Sequence, residues 1–387
     1  MILRNVKIIG NEIPQQIWIS GGQIQKITAN EPASDVSSDK ANLLFDDEAL
    51  AFPGLINSHD HLDFNLFPQL GNRIYSNYMD WGPDIHRQNS DVIQSILKVP
   101  LQLRIKWGIY KNLLNGVTSV AHHGERLTKI EAPINIIQNT YSMHSIGVEK
   151  FWKYKLNRPF AGNLPFVIHI GEGTDIAAKT EIDKLIRWNI FNRKVIAVHG
   201  IAMGEQQAKS FEALVWCPDS NLFLQGETAA IDRLKSETKV LFGTDSTLSA
   251  NWNIWEHIRL GRRKALLTDK ELFDSLSSTP ASIWKLNSGE IAEGKTADIV
   301  IAKSKVKDTW KSFFALNPED LLLIIKNGEI ILFDEYLYRQ LDSGGNISGT
   351  FSKVLMEGKV KHVKGDLPGL IQEINRYNPD ISFPIKY

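Results

Sequence analysis

Apolar and polar positions alternate over the first 50 residues. MILRNVKII and QQIWIS read as strands, and Gly21-Gly22 before QIQKITA predicts a hairpin. EPASDVSSDKAN is polar and reads as a loop, after which LLFDDEALAFPGLIN returns to strand character. From about residue 53 the pattern changes. Short apolar runs at Pro53–Asn57, Val117–Ala121, Val167–Ile170, Val195–His199, Ala213–Cys217 and Val240–Gly243 alternate with helical stretches. The helical stretches include DVIQSILKVPLQLRIKWGIYKNLLNG (broken at Pro100), DIAAKTEIDKLIRWNI and ETAAIDRLKSE. Strands alternating with helices predict a parallel sheet, and this many units predict a (β/α)8 barrel. Between Gly124 and Pro165 only one strand is evident, within INIIQNTYSMHSI, so the barrel is expected to be irregular there. After about residue 287 the helices stop, and GEIAEGKTADIVIAK, LLLIIKNGEIILF and FSKVLMEGKVKHVKG read as strands with Gly turns. RQLDSGGNISG reads as an exposed connection. The expected organisation is an α/β chain. Residues 1–50 and 287–387 form a composite β-sandwich, the latter with a tail, and residues 51–286 form the barrel.

Composition narrows the function classes. Lys plus Arg and Asp plus Glu both number 44, so the 387-residue chain has no net charge and no basic footprint for nucleic acid or an anionic membrane. No stretch approaches the roughly 18 apolar residues of a membrane span. The N-terminal alternation lacks the apolar core of a signal peptide. With Cys217 as the one cysteine, no internal disulfide can form, and a cytoplasmic protein is expected.

The candidate chemistry sits at strand ends. His59 and His61 follow the strand PGLIN; two apart on a strand, they point the same way, while Asp60 must point elsewhere. In isolation, His-x-His is a weak signal, and a pair of surface or capping histidines is the favoured reading. His169 ends FVIHI with Glu172 three residues on, His199 ends VIAVHG, and Asp245 ends VLFGTDS. A single polar residue at a strand end is ordinarily a satisfied cap. Four strand ends doing this in one chain is hard to explain structurally, whereas histidine and carboxylate are the donors that Zn²⁺ and Fe²⁺ accept.

In that order, His-x-His, His-x-x-Glu, His and Asp resemble the amidohydrolase superfamily, and within it the cytosine deaminase, guanine deaminase and triazine hydrolase group. FPGLINSHDHL, GVTSV, HIGEG, AVHG, CPDSN, FGTDS, TPASIWKLNSGEIAEGKTADIVI and IIKNGEII carry the resemblance. It implies that His59, His61, His169 and Asp245 hold one divalent metal, Zn rather than Fe, and that Glu172, His199 and Asp245 are catalytic. The metal would activate water. Asp245 would take its proton, His199 would hydrogen-bond the attacking oxygen or polarise the substituent of the attacked carbon, and Glu172 would protonate a substrate nitrogen. The expected function is hydrolysis of a non-peptide C–N bond in a small heterocyclic or amidine-like substrate, by deamination. Alternatives are a cyclic amide hydrolase, removal of another leaving group, and a non-catalytic scaffold of this fold. The expected partner is a small molecule, not nucleic acid or membrane; a homo-oligomer is left open.

Among the neighbours, Cys217 reads as a structural thiol, Ser220 and Asn221 as shaping the barrel mouth, and His122 and His123 as either pocket or core. Lys150, Lys153 and Lys155 read as solvated, which favours one metal over two. Tyr78, Trp81 and His86 are expected in a long polar loop.

Overall fold

A computed structural model describes residues 1–29, 42–46, 49–128, 130–158, 164–342 and 350–387. The expected loop at EPASDVSSDKAN and most of the connection RQLDSGGNISG lie outside the described residues.

Among the described residues, eight strands in two parallel sheets carry the central part of the chain. They are β6 (Leu55–Asp60), β7 (Val117–His122), β8 (Asn135–Ile137), β9 (Tyr141–Met143), β10 (Phe166–Ile170), β11 (Val195–His199), β12 (Ala213–Trp216) and β13 (Lys239–Phe242). They form one parallel sheet in the order β6-β7-β8 and another in the order β13-β12-β11-β10-β9. The runs FVIHI, VIAVH and ALVW are buried along their whole length, as strands covered on both faces must be. One apolar cluster draws Ile56, Ala121, Ile137, Val167, Ile196, Val198, Val215 and Leu241 from seven of these strands, and Trp284 packs into it. Asp245 N–H donates to the His59 carbonyl (3.0 Å), so the segment leaving β13 lies against β6.

The expected single strand in INIIQNTYSMHSI is two. β8 and β9 are three residues each, separated by three residues with no helix between them, and they belong to different sheets. The apolar run was legible; its interruption at Gln138–Thr140 was too short to read as a connection.

Helices follow the expected breaks. Ser90–Leu97 and Leu101–Leu114 flank Pro100, whose ring cannot continue a helix, and Asp175 caps Ile176–Trp188 by accepting from Ala178 N (2.8 Å). Gly108 in the second of these lets the helix approach the turn Leu62–Phe64: a Cβ there would stand 2.2 Å from the Leu62 carbonyl oxygen. ETAAIDRLKSE is mostly irregular, with only Ile231–Leu234 helical. The expected loop holding Tyr78, Trp81 and His86 is instead the helix Tyr78–Gln88, capped by Asn77.

The two ends of the chain meet in one ten-stranded sheet. From the N-terminal side come β1 (Ile2–Ile8), β2 (Gln15–Ser20), β3 (Gln23–Ala29), β4 (Asn42–Leu44) and β5 (Ala49–Pro53). From the other end come β14 (Ile299–Lys303), β15 (Leu321–Lys326), β16 (Glu329–Asp334), β17 (Phe351–Met356) and β18 (Lys359–Lys364). The order is β17-β18-β16-β15-β14-β5-β1-β2-β3, with β4 on β1, and the joint is the antiparallel pair β5–β14. Leu3, Ile17, Ile19 and Ile24 share a core with Ile299, Ile301, Leu323 and Ile325. Helices do not stop at residue 287: Thr309–Phe314, Tyr338–Asp342 and Leu367–Tyr377 follow. The last lies in the expected tail; Pro368 is tolerated in its first turn, and Asp366 caps it.

Candidate metal centre

β6 ends by presenting His59 and His61 on one face. Asp60, between them, turns the opposite way as the two-residue period requires: it accepts from Asn65 Nδ2 (2.9 Å), Asn112 Nδ2 (2.7 Å) and Lys111 Nζ (3.1 Å). Lys111 and Asp60 are both fully buried, so each charge depends on the other. Lys111 Nζ also donates to the Asp245 carbonyl (3.3 Å), as does Thr244 Oγ1 (2.8 Å), and Asn57 Oδ1 accepts from Thr244 N (3.1 Å). This buried polar set ties the His-x-His strand to the Asp245 turn. The sequence reading missed it, although a lysine on the apolar face of a strongly helical run was a signal.

His169, from β10, completes a cluster. His59 Nε2 and His169 Nε2 are 3.1 Å apart, and His61 Nε2 and His169 Nε2 are 3.3 Å apart. Asp245 Oδ1 lies 3.8 Å from His59 Nε2 and 3.9 Å from His61 Nε2. Donors bound at about 2.0–2.1 Å in a tetrahedral site stand about 3.3 Å apart, so these four side chains are spaced to hold one ion. His169 Nδ1 donates to the His144 carbonyl (2.9 Å), which fixes the tautomer that leaves Nε2 a lone pair. Asp245 is held by Ser220 Oγ (2.8 Å) and Ser249 Oγ (2.9 Å) on Oδ2 and by Ser246 N (2.8 Å) on Oδ1.

His199 and Asp245 both have left-handed backbone, φ 70° and 58°, a conformation costly for residues with a Cβ. In each case it turns the side chain at a strand end back into the cluster. Asn221 Oδ1 accepts from His199 Nδ1 (2.8 Å), leaving Nε2 to face Glu172 Oε1 at 3.7 Å. The Glu172 turn is braced on both sides: its carbonyl accepts from Tyr78 N (3.2 Å), and Glu181 Oε1 accepts from Gly171 N (2.8 Å).

Burial sets the electrostatics. It pushes the Glu172 carboxyl up to about 7, helped by the charges of Asp245 and Glu181 and opposed by His199. His59 and His169 are driven well below the usual imidazole value, first by burial and then by neighbouring histidines, so both are neutral donors at pH 7. At Asp245 burial acts upward, but His61, His199 and the hydrogen bonds from Ser220 and Ser246 outweigh it and keep the carboxyl below its ordinary value. An ionised Asp245 carboxylate beside the neutral imidazoles of His59 and His169 suits a divalent cation.

Other expected neighbours fall as follows. Cys217 is buried, and burial raises its thiol far above the usual value, an inert structural group. Ser220 and Asn221 hold Asp245 and His199, a closer role than shaping a mouth. Lys150, Lys153 and Lys155 are exposed, as read from sequence. Trp81 donates to the Leu70 carbonyl and His86 is exposed. His122 accepts from Leu62 N (3.3 Å), while the His123 ring turns towards the cluster, 4.4 Å from the His169 ring.

Residues 161–331 match the model of the amidohydrolase family. The matched region holds His169, Glu172, His199 and Asp245; His59 and His61 precede it. The chain is 23% identical to a 5-methylthioadenosine/S-adenosylhomocysteine deaminase of Pyrococcus furiosus, over 86% of this chain and 95% of that one. A solved adenosine deaminase from Xanthomonas campestris with bound zinc superposes with a TM-score of 0.71 at 14% identity, covering 98% of both chains. An atrazine chlorohydrolase from Arthrobacter aurescens complexed with zinc superposes with a TM-score of 0.64 at 14% identity, covering 89% of this chain and 99% of that one.

Proposed function

We propose that the protein is a metal-dependent amidohydrolase that deaminates a small heterocyclic substrate, with adenine nucleosides as the first class to test. The observation that carries this reading is the spacing of His59, His61, His169 and Asp245 beside a buried Glu172 whose carboxyl titrates at about 7. The relatives support the substrate class, since several are named as deaminases of adenine nucleosides. Two structural readings go with it. The eight parallel strands close as a barrel, supported by the cluster drawn from seven of them and by the bond from Asp245 to His59. The ten-stranded sheet acts as a composite sandwich, supported by the core shared between residues 1–50 and 287–387.

A divalent ion, Zn²⁺ before Fe²⁺, would be held by His59, His61, His169 and Asp245 and, when bound, would supply water activated for attack near neutral pH. Asp245, ionised and oriented by two serines, accepts the proton that water loses. His199, with Nδ1 fixed on Asn221, directs Nε2 to the attacking oxygen and stabilises charge that develops there. Glu172 is half-protonated near neutrality, so it can deliver a proton to a ring nitrogen and then help the amino group leave as ammonia. Water adds one oxygen and two hydrogens; the products are the ring carbonyl and NH₃.

Zinc-loaded protein should release ammonia from adenosine, 5-methylthioadenosine or S-adenosylhomocysteine, and chelation should abolish that release. Release of chloride from a chlorotriazine with no ammonia from any amino-heterocycle would favour the other-leaving-group reading, which the chlorohydrolase likeness motivates. A protein that binds no ion and turns over nothing would favour the scaffold.

A further inference from the structure

Two buried rings beside the candidate centre carry nitrogens that no protein atom satisfies. His59 is 1% exposed and His123 5% exposed. Among the described residues, His59 Nδ1 and both ring nitrogens of His123 lack a hydrogen-bond partner. For His59 this leaves half of a metal ligand's design open. Its Nε2 faces the cluster, 3.1 Å from His169 Nε2. A ligating imidazole almost always donates its other N–H to a carboxylate, a carbonyl or water, which fixes the ring and the tautomer. His169 does so through the His144 carbonyl (2.9 Å). Leaving a buried polar group unpaired costs on the order of 1–3 kcal/mol, and the two rings concerned have centroids 5.3 Å apart.

The same two rings line one small cavity. It leaves about 10 Å³ for the centre of a water molecule, which is room for one and for nothing larger. The hydroxyl-bearing residues Ser58, Thr140 and Ser142 line it too, so the cavity is polar, and polar cavities of this size hold water while apolar ones stay dry. Trp284 is a further wall, its Nε1 donating to Ser58 Oγ (3.2 Å). The place of the cavity follows from the strand break described above. Thr140 lies in the link between β8 and β9 and Ser142 on β9, and those two strands belong to different sheets. Ser142 is exposed, which gives water a route from solvent at that seam.

We propose that one ordered water occupies this cavity, accepts a hydrogen bond from His59 Nδ1, bonds to a ring nitrogen of His123, and so holds the His59 ring for the metal ion. The inference rests on the metal reading above. His123 is then a positioning residue that acts through water and His59, and the ion's open position stays free.

A high-resolution crystal structure of the zinc-loaded, full-length protein tests this. A solvent peak is expected in the cavity at about 2.7–3.2 Å from His59 Nδ1 and from a nitrogen of His123. His123→Phe should lose the peak and bind zinc roughly tenfold more weakly or worse, read by competition with a chelator. His123→Gln, whose amide can still bond the water, should keep both. A dry cavity in the wild type, or His59 Nδ1 bonded directly to a protein atom there, would overturn the proposal, and that density decides even if a variant fails to fold. Loss of the peak in His123→Phe with zinc affinity unchanged would overturn the positioning role. Water in the cavity with no zinc among His59, His61, His169 and Asp245 would overturn the metal reading and the positioning role with it, and would leave the water site standing.

Discussion

Single residues carry the sharpest tests. Glu172→Gln keeps size and hydrogen bonding but removes the titrating proton. Turnover should fall about 10²–10⁴-fold while metal content by elemental analysis stays at the wild-type level. His61→Ala should lose both, since it removes a donor 3.3 Å from His169 Nε2. If Glu172→Gln turned over normally, its role in proton transfer would be wrong. At this scale the sequence was most informative. His59, His61, His169, His199 and Asp245 each end or follow an apolar run, with Glu172 three residues after His169, a pattern readable one strand at a time. The partners of those residues were not readable. That Ser220 and Ser249 grip Asp245, or that Asn221 orients His199, depends on chain segments whose spacing in sequence says nothing of their meeting in space.

At the scale of elements, the helix Leu101–Leu114 brings Lys111 beneath the His-x-His strand. Lys111→Met should lower stability by about 3–5 kcal/mol, because it strands a buried Asp60 charge. Adding Asp60→Asn should recover much of that loss, and chemical denaturation midpoints measure both. The helix Ile176–Trp188 carries Glu181, whose carboxyl burial raises from 4.5 to about 7. The folded form therefore binds more protons than the unfolded form between those values. Its cost to stability is absent below about pH 4.5 and grows as the pH rises to about 7. Glu181→Gln should become more stable relative to wild type across that window, by up to about 3 kcal/mol; a pH-independent difference would show that Glu181 is not so shifted. Helices bounded by strong signals, such as Pro100 and the Asp175 cap, were legible. β8 and β9 were not, because two three-residue strands with a three-residue link look like one apolar run.

For the molecule as a whole, the matched strand patterns at the two ends foretold that they would associate. Their joining in one sheet through β5 and β14 was not readable, since register across so long a separation leaves no local mark. Deleting residues 1–50 would uncover Ile299, Ile301, Leu323 and Ile325, strip the partners of Ala302 and Lys303 on β14, and leave the rest of β5 as an edge without β1. The truncated protein should be recovered in the insoluble fraction even with every proposed metal donor present. A soluble, fully active truncation would show that the ends are independent.

The β5–β14 joint also sets a timetable. About 250 residues separate its two strands, so a ribosome adding roughly 5–20 residues per second needs on the order of 12–50 s after making β5 to make its partner. Throughout that interval β1, β2 and β3 can pair with one another, but their apolar face waits for Ile299 and Ile301. The nascent chain thus carries an unfinished sheet while its central strands are still being made. In cells, its yield should depend on chaperones that bind early and release late.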